Sequence, residues 1–209
     1  MRSEDLRREE NYQEFLRLKQ NADYIYVTYD EKSGGMSAVH RLHKFDKQVG
    51  INGKRRGEYE LQAMIVLMKK GHRVLLGSER STMGIKICDG HIDDQRMEIK
   101  AIEGDGTWAV STKLLNATKQ HAQCVVLLFP DKQLYSEFRI QEGLRLYNSS
   151  PQIENISELE SLIVIAEDLI VSYWNRKATP FEKEWLISEG LRGQNGAGPF
   201  TIPPSDAKL

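Results

Sequence analysis

The run CVVLLFP, residues 124–130, constrains the fold of this chain more than any other feature. An uninterrupted apolar run predicts a strand that is buried on both faces, because a strand with one wet face would alternate apolar and polar residues. Hydrophobic residues make up 40% of the chain, which excludes disorder throughout. No apolar stretch reaches the about 18 residues that a membrane-spanning helix needs, so we expect no membrane partner.

A series of helix and strand patterns begins at residue 57. The segment 57–71 begins with acids and ends with Lys-Lys-Gly, an order that favours a helix because it complements the helix dipole. The later elements of the series are three strand-like runs, a helix and the buried strand, at 72–79, 85–92, 95–103, 112–122 and 124–130. The predicted order is therefore α-β-β-β-α-β, within an α/β protein. The apolar face of the first helix is predicted from Leu61, Met64, Ile65 and Met68.

The remaining segments extend this series at both ends. A surface helix, a hairpin and a polar, glycine-punctuated linker are predicted at 2–20, 24–42 and 44–57, and a further helix at 136–148. The β-branched content of 161–175 and its central Glu-Asp favour a hairpin over one helix. After it come a short helix at 181–190 and an exposed Gly/Pro-rich tail. The predicted organisation is an N-terminal extension (1–50), a core (51–175) and a C-terminal helix with a flexible tail (176–209).

Two carboxylates are predicted to face each other in the stretch CDGHIDDQRMEIKAI, residues 88–102. If residues 93–94 form a two-residue turn, Ile92 pairs with Gln95, and counting back along both strands places Asp89 opposite Glu98. Their Cβ atoms would then lie about 5 Å apart, where like charges repel. A chain in which 28% of residues are charged also produces such patterns on solvated hairpin faces.

A divalent cation between Asp89 and Glu98 would relieve their repulsion. Oxygen ligands of this kind suit Mg²⁺ or Mn²⁺, which commonly take one or two carboxylates and keep several waters. Strand alternation places Lys100 on the same face as Glu98, where its ammonium could orient an attacking water. We expect Glu98 to face the surface and to contribute little to packing.

This order of elements and these residues resemble the PD-(D/E)XK nuclease superfamily. The closest resemblance is to the nuclease-like C-terminal domains of contact-dependent inhibition (polymorphic) toxins and of related phage and mobile-element proteins. It rests on the helix end MKKGHRVLL at 68–76, on Cys88-Asp89 and on Glu98-Ile99-Lys100, and it covers roughly residues 57–130. Cys88 stands where the family has proline, and Asp94 where the turn usually has glycine.

The resemblance implies a restriction-endonuclease-like core with a central mixed sheet, and metal-dependent hydrolysis of phosphodiester bonds in DNA or RNA. Asp89, Glu98 and the Ile99 carbonyl would hold Mg²⁺ or Mn²⁺, and Lys100 would position the nucleophilic water. The family's first-helix glutamate corresponds to Glu60, with Glu58 as the alternative; both could equally be acids that the helix dipole favours. The partners would be nucleic acid and an immunity or inhibitor protein, in the cytoplasm or after delivery to a target cytoplasm. The alternative is a catalytically inactive interaction module that reuses the fold.

Several further residues are candidates for binding nucleic acid. The segment 38–56 contains six bases and one acid, which suits phosphate contacts at Lys54, Arg55 and Arg56, and suits a solvated linker equally. The other candidates are His91, next to the carboxylate pair, and Lys119 and Gln120, on the second core helix. His40-x-x-His43 is predicted to be a surface pair rather than a metal site, because no acidic third ligand follows nearby.

Several other chemistries lack their sequence motifs. No P-loop, Rossmann, zincin or nucleophile-elbow motif occurs. The two cysteines, Cys88 and Cys124, do not form a CxxC pair, and the N-terminal residues have no apolar secretory stretch. The sequence thus favours a reduced compartment.

Overall fold

A computed structural model describes residues 3–78, 88–152 and 159–175 of the 209-residue chain. The four α-helices of these residues are α1 (Ser3–Lys19), α2 (Arg56–Lys69), α3 (Ala109–Thr118) and α4 (Glu137–Asn148). The strands are β1 (Tyr24–Asp30), β2 (Gly35–His40), β3 (Arg73–Leu76), β4 (Gly90–Ile92), β5 (Gln95–Ala101), β6 (Cys124–Phe129), β7 (Ser161–Ala166) and β8 (Leu169–Asn175). No helix in these ranges is both long and apolar enough to cross a membrane.

The eight strands belong to one mixed sheet in which their spatial order follows the chain. Pairing is antiparallel for β1–β2, β3–β4, β4–β5 and β7–β8, and parallel for β2–β3 and β6–β7. The α/β class and the order α-β-β-β-α-β from α2 to β6 are confirmed, as is the hairpin predicted at 161–175. The chain divides into two compact units, Met1–Glu98 and Ile99–Leu209, and the boundary lies within β5.

In the first unit, helices α1 and α2 pack against strands β1, β2 and β3. Leu18 of α1 and Met36 and Ala38 of β2 form a buried cluster. Helix α2 approaches β2 closely: a Cβ added to Gly35 would lie 1.9 Å from the Met68 carbonyl oxygen, so glycine is required there. The prediction that Ile65 belongs to the buried face of α2 was wrong, because Ile65 is 42% exposed. The buried face instead includes the residues at positions 59, 63, 66 and 67.

The second unit is built on the buried strand that the sequence predicted. Every residue of β6 is buried, and its register with β7 runs from Cys124↔Ser161 to Phe129↔Ala166. Helices α3 and α4 approach each other at Gly143, where an added Cβ would lie 2.3 Å from Val110 Cγ1.

Helix α3 begins and ends earlier than the predicted range 112–122. It ends at Thr118, and His121 adopts a positive φ of 63° that a helix cannot continue through. Lys119 and Gln120 therefore follow the helix instead of lying on it.

Some sequence-based predictions lie outside the described residues. These are the first part of the strand at 85–92, the helix at 181–190 and the C-terminal tail. The domain boundaries at residues 50 and 175 stay predictions.

Candidate catalytic site

Strands β4 and β5 have the register that the sequence predicted around a turn at residues 93–94. Ile92 pairs with Gln95 and Gly90 with Met97, and one further step away from the turn places Asp89 opposite Glu98. The Asp89 backbone N–H donates a hydrogen bond of 2.8 Å to Glu98 Oε2. The two candidate metal ligands therefore lie side by side, Asp89 immediately before β4 and Glu98 within β5.

Glu98 is buried, contrary to the expectation that it faces the surface. Its exposed fraction is 0%, whereas Asp89 is half-buried. A buried carboxylate is unfavourable unless it is hydrogen-bonded, and the Asp89 N–H provides one such bond. Glu98 is thus part of the packed interior as well as a candidate ligand.

The electrostatic effect of these carboxylates extends to the thiol beside them. Burial raises the pKa of Cys88 above that of an ordinary thiol, and the negative charges of Glu98 and Asp89 raise it further. The Cys88 Sγ–H is 3.6 Å from the Gly90 carbonyl oxygen, which it contacts as a weak donor. The Cys88 thiol is therefore close enough to both carboxylates for their charges to act on it.

His43, which the sequence assigned to a surface pair, contacts the third candidate carboxylate, Glu60. His43 Nε2 lies 2.9 Å from Glu60 Oε2, and its Nδ1 lies 2.9 Å from the Gly77 carbonyl oxygen. The His43 side chain is 0% exposed and that of Glu60 is 16% exposed, so the prediction of a surface histidine pair was wrong for His43. The signal was absent locally because its acidic partner is 17 residues away.

Both ring nitrogens of His43 face acceptors. A carbonyl oxygen and an ionised carboxylate can only accept hydrogen bonds. Contacts at both of its nitrogens therefore hold the ring between Glu60 and Gly77.

Four hydrogen bonds connect the Glu60 carboxylate to the Glu98 carboxylate through the backbone of Asp89, within the first unit. From Glu60, the path runs through His43 to Gly77, whose N–H donates to the Asp89 carbonyl oxygen at 2.8 Å, and from the Asp89 N–H to Glu98. The structure thus brings Glu60, Asp89 and Glu98 into one network, which we call the carboxylate network.

Ile99 and Lys100 follow Glu98 along β5. The Ile99 side chain is a buried hydrocarbon with no ligand atom, so its backbone carbonyl oxygen is the candidate ligand. Lys100 is half-buried, and strand alternation places it on the same side of β5 as Glu98.

The predicted linker at 44–57 is an ordered loop. The Arg56 N–H donates to the Gln48 carbonyl oxygen at 2.8 Å, the Gly57 N–H to that of Asp46 at 2.9 Å, and Val49 forms a bridge with Arg55. With the first turns of α2, this loop surrounds a pocket of about 760 Å³. The pocket is lined by His43, Lys44, Phe45, Asp46, Lys47, Arg55, Gly57, Glu58 and Leu61.

The predicted phosphate-binding residues differ in their surroundings. Lys54 and Arg55 are exposed, whereas the Arg56 guanidinium donates to Gln48 Oε1 at 2.6 Å. Of these three residues, the pocket includes only Arg55.

The other predicted nucleic-acid ligands lie apart along the chain. His91 is exposed and pairs with Arg96 across β4 and β5. Lys119 is exposed at the end of α3, in the second unit. Gln120 is only 7% exposed, and its Nε2 donates to the Asn116 carbonyl oxygen at 3.1 Å.

The described residues contain no group of three or more histidine, cysteine or acidic side chains arranged to hold a metal ion. The opposed pair of Asp89 and Glu98 suits Mg²⁺, which usually takes only one or two carboxylates from a protein and completes its octahedral coordination with water.

Comparison with known proteins found no matching family model, curated protein or solved structure.

Proposed function

We propose that this chain is a metal-dependent nuclease, of the toxin or mobile-element kind, that hydrolyses phosphodiester bonds in DNA or RNA on a restriction-endonuclease-like core. One observation carries the proposal: Asp89 lies opposite Glu98, and Lys100 follows two residues along the same strand. The order α-β-β-β-α-β around these residues supports it.

The donor set fits Mg²⁺ or Mn²⁺. Asp89, Glu98 and the Ile99 carbonyl would hold the ion through oxygen atoms, the ligands that both metals prefer. When bound, it would supply Lewis-acid stabilisation of the charge that develops on the phosphate. Asp89 and Glu98 would supply the negative charge that balances the cation.

Residues of the chain would orient the reactants. The Lys100 ammonium would donate to the attacking water and fix its position. Glu60 would accept a hydrogen bond from a second water, and His43 keeps the Glu60 carboxylate in place through its 2.9 Å contact. An immunity or inhibitor protein that covers this site is part of the same proposal.

The test is cleavage of a panel of single- and double-stranded DNA and RNA with Mg²⁺, with Mn²⁺ and with EDTA. Glu98→Gln should abolish cleavage because it removes a ligand charge and keeps the size and the hydrogen-bond acceptor. Asp94→Asn is the matched control: it makes the same change on the same hairpin, at a carboxylate that contacts Arg73 at 2.6 Å. Equal activity of Glu98→Gln and the wild type would contradict the proposal.

The second candidate is a binding module without catalysis. Glu98 is fully buried and accepts a hydrogen bond from the Asp89 N–H. A carboxylate with a purely structural role would have the same surroundings, and this observation favours the second candidate. Isothermal titration calorimetry with Mn²⁺ distinguishes the nuclease from the binding module. A module would not bind Mn²⁺ through these residues, whereas the nuclease should lose binding in Glu98→Gln and keep it in Asp94→Asn.

A further inference from the structure

The pocket formed by the 44–57 loop carries an inference about the substrate. Its volume of about 760 Å³ is within the range of sites for single small ligands, about 300–1,000 Å³. A continuous duplex keeps its bases stacked and paired, so it cannot insert a base into such a pocket without flipping it out. An unpaired nucleotide can enter directly.

The pocket lining combines apolar surface, which suits a base, with cationic side chains, which suit a phosphate. Phe45 and Leu61 give it apolar surface, and the Phe45 ring is held edge-on against His43 with 4.7 Å between ring centroids. Aromatic side chains of this kind stack with unpaired bases regardless of sequence.

The cations of the lining outnumber its acids. Lys44, Lys47 and Arg55 are exposed, and none of them belongs to the ion pairs of the described residues. The two acids of the lining accept hydrogen bonds from backbone N–H groups of the loop. Asp46 accepts from the Gln48 N–H at 2.9 Å, and Glu58 accepts from the Arg55 N–H at 3.0 Å. The pocket therefore has charge complementary to a phosphate.

His43 connects this pocket to the carboxylate network. It lines the pocket and also contacts Glu60 and Gly77. Since the Gly77 N–H donates to the Asp89 carbonyl oxygen, contacts through His43 and Gly77 link the pocket to the backbone of a candidate metal ligand.

We propose that this pocket binds one unpaired nucleotide, with its base against Phe45 and its phosphate near Lys44, Lys47 and Arg55. The substrate class is then a single strand or an unpaired strand end. This rests on the proposed nuclease function and names its substrate.

The test measures binding by fluorescence anisotropy in EDTA, so that no metal-dependent step contributes. The probes are fluorescein-labelled oligothymidylate and oligouridylate of about 12 nucleotides, a typical length for a single-strand site, and a blunt duplex of equal length. The single strands should bind at least about tenfold more tightly than the duplex. The ratio between the two single strands assigns DNA or RNA.

Two sets of variants test the assigned residues. Lys47→Gln with Arg55→Gln should reduce the slope of log affinity against log salt by about 1.4, because each phosphate contact to a single strand contributes about 0.7. Lys69→Gln with Lys70→Gln, at the other end of α2, is the matched control and should leave the slope unchanged. Phe45→Leu should weaken binding roughly 5- to 100-fold, the effect of losing one stacked base, whereas Phe138→Leu on α4 should not.

Three outcomes would overturn the inference: duplex bound as tightly as single strands, an unchanged slope in the Lys47/Arg55 variant, or polyglutamate bound as tightly as the oligonucleotides. The last would assign the pocket to an acidic protein. Selective single-strand binding without any Mg²⁺- or Mn²⁺-dependent cleavage supports the pocket and contradicts the nuclease. Cleavage with unselective binding contradicts the pocket alone.

Discussion

His43 Nε2 lies 2.9 Å from Glu60 Oε2, and this contact joins the loop before α2 to the first turn and a half of that helix. The other ring nitrogen contacts the backbone at the end of β3, so one side chain fixes three segments relative to one another. A residue with this many constraints determines where the Glu60 carboxylate points.

Replacing His43 with alanine should destabilise the protein by about 2–3 kcal/mol. The change leaves the Glu60 carboxylate and the Gly77 carbonyl without a partner. The loss stays below the roughly 3–5 kcal/mol of a fully buried ion pair because Glu60 retains some exposure. Urea unfolding followed by circular dichroism measures it. His40→Ala is the control and should cost about 1 kcal/mol or less; equal effects of the two variants would show that the contact with Glu60 contributes nothing.

Glu98→Ala and Glu98→Gln should differ in stability but not in activity. Alanine leaves the Asp89 N–H without its acceptor in a buried environment, which costs about 1–3 kcal/mol, while the glutamine amide oxygen can still accept that bond. Both variants should lose metal-dependent cleavage. Thermal unfolding and the cleavage assay check this together. A glutamine variant as unstable as the alanine variant would show that the carboxylate charge itself is structural.

The Cys88 thiol should become more reactive when Glu98 is neutralised. Burial raises the pKa of Cys88 first, and the Glu98 charge raises it further by disfavouring the thiolate. Since alkylation requires the thiolate, Glu98→Gln should lower this pKa and speed iodoacetamide labelling of Cys88 at mildly alkaline pH. Peptide mass spectrometry separates Cys88 from the buried Cys124. Labelling at the wild-type rate would mean that the Glu98 charge does not act on the thiol.

Gly57→Ala should open the 44–57 loop. An added Cβ would lie 2.5 Å from Phe45 Cβ and 3.1 Å from the Asp46 carbonyl oxygen, so the loop would have to move away from α2. Overpacking of this kind typically costs about 1–3 kcal/mol. Gly104→Ala is the matched control because nothing lies within 4 Å of its added Cβ. Limited proteolysis should cleave the loop faster in Gly57→Ala only; equal rates in both variants would contradict the tight packing.

The sequence by itself determined the order of the elements and the register of the site hairpin. The pairing of Ile92 with Gln95 follows from the turn at residues 93–94 and from the two-residue period of a strand. The continuous apolar run fixed β6 as a buried strand for the same local reason. These features depend on neighbours in the sequence, and local patterns record them.

The tertiary structure alone decided which polar groups are buried. Glu98 is on a strand position that the sequence assigned to the surface, and His43 belongs to a pair that the sequence also assigned there. Their burial depends on which distant segments pack over them, as Glu60 and Gly77 do over His43. The same holds for the pocket, because the 44–57 loop encloses space only after it closes onto α2. A linear pattern does not encode such contacts, since they arise between segments that the fold brings together.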